Sequence, residues 1–276
     1  MIVQHNMTAL NANRQLGITN TNLARSTEKL SSGYRVNRAA DDAAGLSISE
    51  KMRGQIRGLE QASTNAEDGQ SLIQTAEGAL SEIHSVLQRM RELTVQASND
   101  TNVSADRKAI AKEVRALTSE ISRIATQTQF NTMGLLSGGF KNKKLQVGAN
   151  TNQTISITIS SMTAGKLGVS ATVIAKVISS STGKDITKLI TIVNTAITKV
   201  STQRSALGAL QNRLDHTIAN ADNMAENLQS SESKIRDVDM ADEMVSYSAS
   251  SILQQAGQSM LAQANQATQG VLSLLQ

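Results

Sequence analysis

The sequence predicts a mainly α fold: a long-helix coiled-coil rod with a small β-hairpin insert, its two terminal helices forming a coiled coil of their own. Three observations predict it. The 276 residues contain no Pro, so nothing forces long helices to break. Apolar residues recur every seven positions in several separate segments, the period of a coiled-coil seam. Between Phe130 and Gly183 the texture changes to Gly, Ser and Thr with alternating apolar residues, the period of a half-buried strand.

The first helix is predicted from about Met7 to Ser32, with Leu16, Leu23 and Leu30 seven apart and Gly33 as its stop. Tyr34 to Ala40 reads as a short irregular bridge. Asp41 and Asp42 then stand where acidic residues favour a helix start and are expected to cap the next helix. Gly33 and Gly45 are expected to supply backbone freedom there. The second helix extends to about Asn99 on the stripe Met52, Leu59, Ala66, Ile73, Leu80 and Leu87. A further stripe from Leu72 through Ile83 and Met90 to Leu93 widens the inward face. About 58 residues at ~1.5 Å each give roughly 87 Å. Asn99 to Ser104 reverses the chain, and a third helix from Ala105 to about Thr128 carries Ile110, Val114, Leu117, Ile121 and Ile124.

The insert follows. Leu145 and Val147, then Ile155, Ile157 and Ile159, alternate on either side of Gly148–Asn152 and predict a hairpin. Val173 to Ile178 is expected to add another strand. The longest heptad then runs through Ile186, Val193, Val200, Leu207, Leu214, Ala221, Leu228 and Ile235. An acidic bridge around Lys234–Met244 precedes a last helix with Leu253, Met260, Ala267 and Leu274 seven apart and Gly257, Ala264 and Val271 between them. Element order is therefore mirrored about the insert, which brings both ends of the chain together.

Charge is absent where a solvated coiled coil would carry it. After Glu243 no Lys, Arg, Asp or Glu occurs, and Arg14 is the sole charged residue before Arg25. A heptad seam without flanking charges lacks the ion pairs that set partners in an exposed coiled coil. Such helices are expected to be covered by each other or by other copies. A membrane-spanning reading fails because Gln254, Gln255, Gln258, Gln263 and Gln266 interrupt the run, where ~20 mostly apolar residues are required. No secretory leader is expected, since Met1–Asn6 lacks a basic stretch followed by an apolar core.

The remaining composition narrows function. Two Phe, two Tyr and no Trp leave few large anchors for a globular core. The absence of Cys excludes disulfides and thiolate sites. A net charge of +4, with its one basic run Lys141–Lys144 in a Gly-flanked loop, argues against nucleic acid. His5, His84 and His216 are dispersed and show no metal-ligand spacing. Asp237, Asp239, Asp242 and Glu243 lack an EF-hand pattern and sit at a helix start, where capping explains them. Gly138–Gly139 has no strand before it and no Lys-Ser/Thr after it, so it is no phosphate loop. The Asn-x-Ser/Thr matches at Asn6, Asn99, Asn102 and Asn152 are chance matches in so Asn/Thr-rich a chain. No nucleophile–base pair occurs, so neither an enzyme nor a cofactor is expected. The run Gln88–Gln96 mixes Arg89, Arg91 and Glu92 with Leu93 and Val95, which by spacing reads as a charged outer face beside an inward stripe.

The chain resembles bacterial flagellin. The resemblance is carried by Leu30–Asn37 (LSSGYRVN), Asp41–Gly45 (DDAAG), Gly58–Ser63 (GLEQAS), Ala66–Gly69 (AEDG), Thr75–Leu80 (TAEGAL) and Gln127–Asn131 (QTQFN). It continues in Leu253–Gly257 (LQQAG), Leu261–Gln266 (LAQANQ) and Val271–Leu275 (VLSLL). These cover both terminal thirds in order. Thr268 and Gln276 depart from the usual family residues, Pro and a terminal Arg or Gly, without touching the packing stripe.

The resemblance implies a short form without large outer variable domains. Residues 1–33 and 245–276 would form the inner coiled-coil domain lining a filament channel, and 45–235 the rod domain, with its β-containing segment at about 140–178. Residues 34–44 and 236–244 would be bridges between them. It further implies a secreted, extracellular homopolymer for swimming motility, exported unfolded through the flagellar type III apparatus. The polymerisation residues would be Leu16, Leu23, Leu30, Leu253, Met260, Leu261, Val271 and Leu274. Expected partners are other copies, cap and hook-associated proteins, an export chaperone and Toll-like receptor 5, with neither nucleic acid nor membrane. Arg89 and Leu93 take the main receptor-contact positions, and Glu113 the neighbouring acidic one. Two alternatives stand beside this reading. One is a hook–filament junction protein of the same family; the other is a signalling coiled coil of the chemoreceptor type, which has no need of uncharged ends.

Overall fold

The computed structural model describes residues 6–170, 174, 178 and 183–274. Six helices and two short hairpins are described: α1 (Met7–Ser32), α2 (Ala43–Ser98), α3 (Ser104–Gln127), β1 (Gln129–Phe130), β2 (Met133–Gly134), β3 (Lys143–Gln146), β4 (Thr154–Ile157), α4 (Ala164–Leu167), α5 (Gly183–Arg236) and α6 (Met240–Leu274). The fold is mainly α, as the periodicity predicts. The chain divides into two compact units, one of residues 1–55 with 226–276 and one of residues 56–225.

In the second unit the heptad stripes point inward. Ile73, Leu80 and Leu87 of α2, Val114 and Ile121 of α3, and Val193, Val200, Leu207 and Leu214 of α5 are all buried in one core. Long helices derive most of their stability from such shared apolar faces. β3 and β4 pair antiparallel with Leu145 opposite Ile155, and the hairpin lies on α2. Gly58 and Gly69 permit this, since a Cβ at 58 would come within 2.8 Å of Ala149 Cβ, and one at 69 would collide with Leu145.

Three local features differ from the sequence expectation. β1 and β2 form an additional two-residue hairpin, whose turn holds Asn131 and Thr132 at φ 46° and 64°. Two successive positive φ values characterise the tightest hairpin turns. The single turn α4 was likewise not anticipated. Within the extra strand expected at Val173–Ile178, Ile174 and Ile178 are helical and buried, and Ile174 N–H donates to Ser170 O, a helical step. Two buried isoleucines four apart fit one helix face rather than a strand; the remainder of that expectation, like His5, lies outside the described residues.

Candidate assembly surfaces

α1 and α6 of the first unit pair antiparallel. Asn6 Nδ2 donates to Ala264 O at 2.9 Å, Gln254 Nε2 to Asn20 Oδ1 at 2.8 Å, and Lys29 Nζ lies 3.6 Å from Glu243 Oε2. The seam on α1 is Ala9, Ala12, Leu16, Thr19, Leu23, Ser26 and Leu30, which are buried or half-buried. On α6 it is Tyr247, Ser250, Gln254, Gly257, Leu261 and Ala264, each half-buried. Both sets alternate steps of three and four, the seam of a two-helix coiled coil.

This seam corrects the assignment of residues to surfaces. Leu16, Leu23, Leu30 and Leu261 are held within the α1–α6 pair of a single chain. Leu253 and Met260 point away from it and remain 60% and 64% exposed. The conspicuous heptad of α6 is thus its outer stripe, while the pairing seam uses small and amide side chains that hydrophobic periodicity overlooks. Ser250, Gly257 and Ala264, themselves seven apart, were its visible signal. Met7, Leu10 and Ile18 form a matching exposed set on α1. A groove of about 580 Å³ runs beside the seam, with Ala12, Leu16 and Gly257 in its wall and Leu253 and Met260 at its rim. The side chains of Val271 and Leu274 lie outside the described residues.

The two bridges are joined to each other. Gly33 ends α1 in the left-handed region at φ 75°, and its N–H donates to Lys29 O. Tyr34 then pairs antiparallel with Asp237, as Arg35 N–H donates to Arg236 O at 2.7 Å and Val238 N–H to Gly33 O at 3.0 Å. Arg236 fastens this small ladder: its guanidinium lies 4.6 Å from the Tyr34 ring centroid and 2.9 Å from Glu50 Oε1. The hydrogen bond from Arg236 holds the Glu50 carboxyl below the ordinary carboxylate range, aided by the charge of Arg53. These contacts were not legible as a motif, because the three residues are far apart in the chain.

Asp41 and Asp42 turn out to differ in role. Asp42 Oδ1 accepts from Gly45 N–H at 2.8 Å and caps α2. Asp41 instead closes the preceding turn, accepting from the N–H groups of Arg38 and Asn37 at 2.9 and 3.2 Å. The Arg38 N–H chiefly lowers the Asp41 pKa. Gly45 is helical rather than left-handed, so backbone freedom does not explain it; a Cβ there would lie 2.8 Å from Asp42 Cγ and displace the cap. Asp239 similarly caps α6, accepting from Ala241 N–H at 2.9 Å. Between α5 and α6, residues 237–239 are the non-helical ones, within the expected bridge 236–244.

On the second unit, Arg89 Nη2 lies 3.0 Å from Glu113 Oε1 and Arg89 Nη1 lies 3.1 Å from Glu92 Oε2. These carboxylates, Glu113 foremost, raise the Arg89 pKa. Leu93 does not share that surface: it is 2% exposed and belongs to the core. Position 93 falls on the inward stripe with Met90 and Ala97, while Arg91, Glu92 and Val95 face out. The structure therefore brings Arg89 and Glu113 together and places Leu93 beneath them.

Among the described residues no group of His, Cys, Asp or Glu is gathered to hold a metal, and no helix is long and apolar enough to cross a membrane. His84 contacts Gln88 within its own helix, and His216 is exposed.

Comparison with known proteins supplies the family. Residues 3–141 match the bacterial flagellin N-terminal helical region and residues 190–275 the bacterial flagellin C-terminal helical region. A flagellin of Halalkalibacterium halodurans is 53% identical over 275 residues, with 100% of both chains covered. The flagellar filament 33 kDa core protein of Treponema phagedenis is 49% identical over 285 residues, again with 100% of both covered. The crystal structure of Bacillus cereus flagellin is similar with a TM-score of 0.50 at 31% identity, covering 60% of this chain and 94% of that one. With both terminal regions matched in order and relatives aligned along their whole length, the chain belongs to the flagellin family.

Proposed function

We propose that this flagellin polymerises through the outer faces of α1 and α6, each copy covering the apolar stripes that its neighbour leaves exposed. As a flagellin the chain is a structural subunit of the extracellular flagellar filament, serving motility, and not an enzyme. The observation that carries the role of α1 and α6 is the exposure of Leu10, Ile18, Leu253 and Met260 on stretches that hold one charged residue before Arg25 and none after Glu243. Large exposed apolar stripes on a monomer mark interaction surfaces. Here the occupant is another copy, because a filament subunit presents the same stripe at every lattice position. Full-length identity with proteins named flagellin favours the filament subunit over a hook–filament junction protein. Deleting residues 245–276 should leave the second unit helical and abolish filaments in electron micrographs. Filaments of normal length from the shortened chain would overturn the assignment.

The family resemblance further supports recognition of the monomer by Toll-like receptor 5 through the Arg89–Glu113 surface, with Leu93 supporting it from the core. It supports, in the same way, an export chaperone on the carboxy-terminal helix and contacts with cap and hook-associated proteins. Binding of purified monomer to immobilised receptor, compared between wild type and R89A, tests the first of these.

A further inference from the structure

We infer that the second unit carries a groove for an acidic polysaccharide, formed between the middle of α5 and α4 with the residues just before it. Charge singles out this part of the chain. Between Thr128 and Gln203 stand eight Lys, no Arg and one acidic residue, Asp185, a net +7 in a chain whose total is +4. After Asp185, α5 has no further acidic residue until Asp215. The groove, of about 560 Å³, has Ser160, Ser161 and Lys166 on one side and Thr195, Thr198, Lys199 and Thr202 of α5 on the other. None of the described residues lining it is acidic or aromatic.

Gln203 joins the two walls: its Oε1 accepts from Ser160 N–H at 3.4 Å and its Nε2 donates to Thr158 O at 3.3 Å. Lys199 Nζ donates to Lys166 O at 3.3 Å, which positions the ammonium and leaves it two further N–H groups for a ligand. Among the described residues neither lysine has an ion-pair partner, whereas Arg204, further along α5, lies 3.5 Å from Glu77 Oε1. Ile159 N–H donates to Phe140 O at 2.9 Å, which brings the exposed Lys141 alongside the Ser160 end. Thr195, Thr198 and Thr202 donate their hydroxyl hydrogens to carbonyls four residues back, so their oxygens stay available as acceptors. Ammonium groups for anionic substituents, beside acceptors for hydroxyls, suit a sugar chain bearing sulfate or carboxylate. Nucleic acid would call for aromatic stacking platforms or forked Arg contacts to bases, and the groove has neither.

The test is binding of the full-length monomer to immobilised heparin over a salt series, with neutral dextran as the uncharged control. Wild type should bind heparin and ignore dextran. K166Q/K199Q should bind about tenfold more weakly, with unchanged circular dichroism and a slope of log affinity against log salt that is lower by about one to two. K108Q/K112Q removes the same charge from exposed positions on α3 and should bind as wild type does. Should K166Q/K199Q lower helicity, Ser160→Glu, which sets a carboxylate at the exposed rim, should give the same weakening. Equal losses in the two glutamine pairs would reduce the effect to net charge and overturn the groove, as would a wild type that does not bind heparin. Single-stranded DNA bound more tightly than heparin, and lost in K166Q/K199Q, would overturn the polysaccharide and assign the groove to nucleic acid.

Discussion

Gly257 on α6 faces Leu16 on α1 so closely that a Cβ at position 257 would lie 3.3 Å from Leu16 Cδ1. Around Gly257 the α6 side of the seam is made of the small and amide residues Ser250, Gln254 and Ala264, set against the leucines of α1, so this point tolerates little added volume. Overpacking of a tight contact costs about 1–3 kcal/mol. Gly257→Leu should therefore part the two helices and disturb the outer stripes they carry. The concentration of monomer left at the end of assembly should rise about tenfold or more, while thermal melting of the second unit stays as in wild type. An unchanged end-point concentration would show that the seam is not what shapes the assembling surface.

The Arg236 contact predicts an acid dependence of the bridges. Glu50 has its carboxyl pKa lowered in the folded chain, chiefly by the Arg236 hydrogen bond. A lowered folded pKa means that the stabilisation is fully present above the unfolded carboxylate value and is lost as pH falls through the folded one. Hydrogen exchange at the Arg35 and Val238 amides should accordingly speed up in that window, relative to the core of the second unit. Glu50→Gln should flatten part of this response and Asp41→Asn another part, since Asp41 is lowered too. Identical pH profiles in wild type and the double variant would remove both carboxylates from the bridge.

Asp42→Ala removes the α2 cap and should cost about 1 kcal/mol of local stability. Gly45→Val should act through the same group, because its side chain would displace the Asp42 carboxylate. The two effects should be less than additive in the double variant, which leaves no cap to displace. Additive losses in helix stability, read from circular dichroism melts, would mean that Gly45 matters for some other contact.

The second unit was the more legible part of the chain. Ile73, Leu80, Val193 and Val200 announce their burial because a long helix repeats its core position every seven residues, and large apolar side chains occupy it. The first unit obscures the same signal. On α6 the large residues Leu253 and Met260 face out, while Ser250, Gly257 and Ala264 face in, so hydrophobicity points to the exposed stripe and hides much of the seam. Arg236, Tyr34 and Glu50 could not be grouped from sequence, since only the fold brings them together. Leu93 erred in the other direction: its place beside Arg89 in the resemblance suggested a surface role, whereas its place on the inward stripe determined its burial.

That difference separates two substitutions at the Arg89 surface. Arg89→Ala removes the forked contacts to Glu113 and Glu92 at an exposed position, so the melting temperature should change little while binding to Toll-like receptor 5 weakens. Leu93→Ala opens a cavity in the core and should destabilise the chain by roughly 2–5 kcal/mol. Any loss of receptor binding in L93A should then track its loss of fold. Undiminished binding by R89A would leave the Arg89–Glu113 pair as a structural tie between α2 and α3.

The central claim is that the exposed stripe of α6 joins one copy to the next. Leu253→Gln with Met260→Gln tests it most directly, because both side chains point away from the α1–α6 seam and amides are already abundant on this helix. The measurement is elongation of wild-type filament seeds by this variant, observed by electron microscopy at a concentration where wild type extends them. The account predicts a normal helical monomer that fails to extend the seeds; extension at the wild-type rate would contradict it.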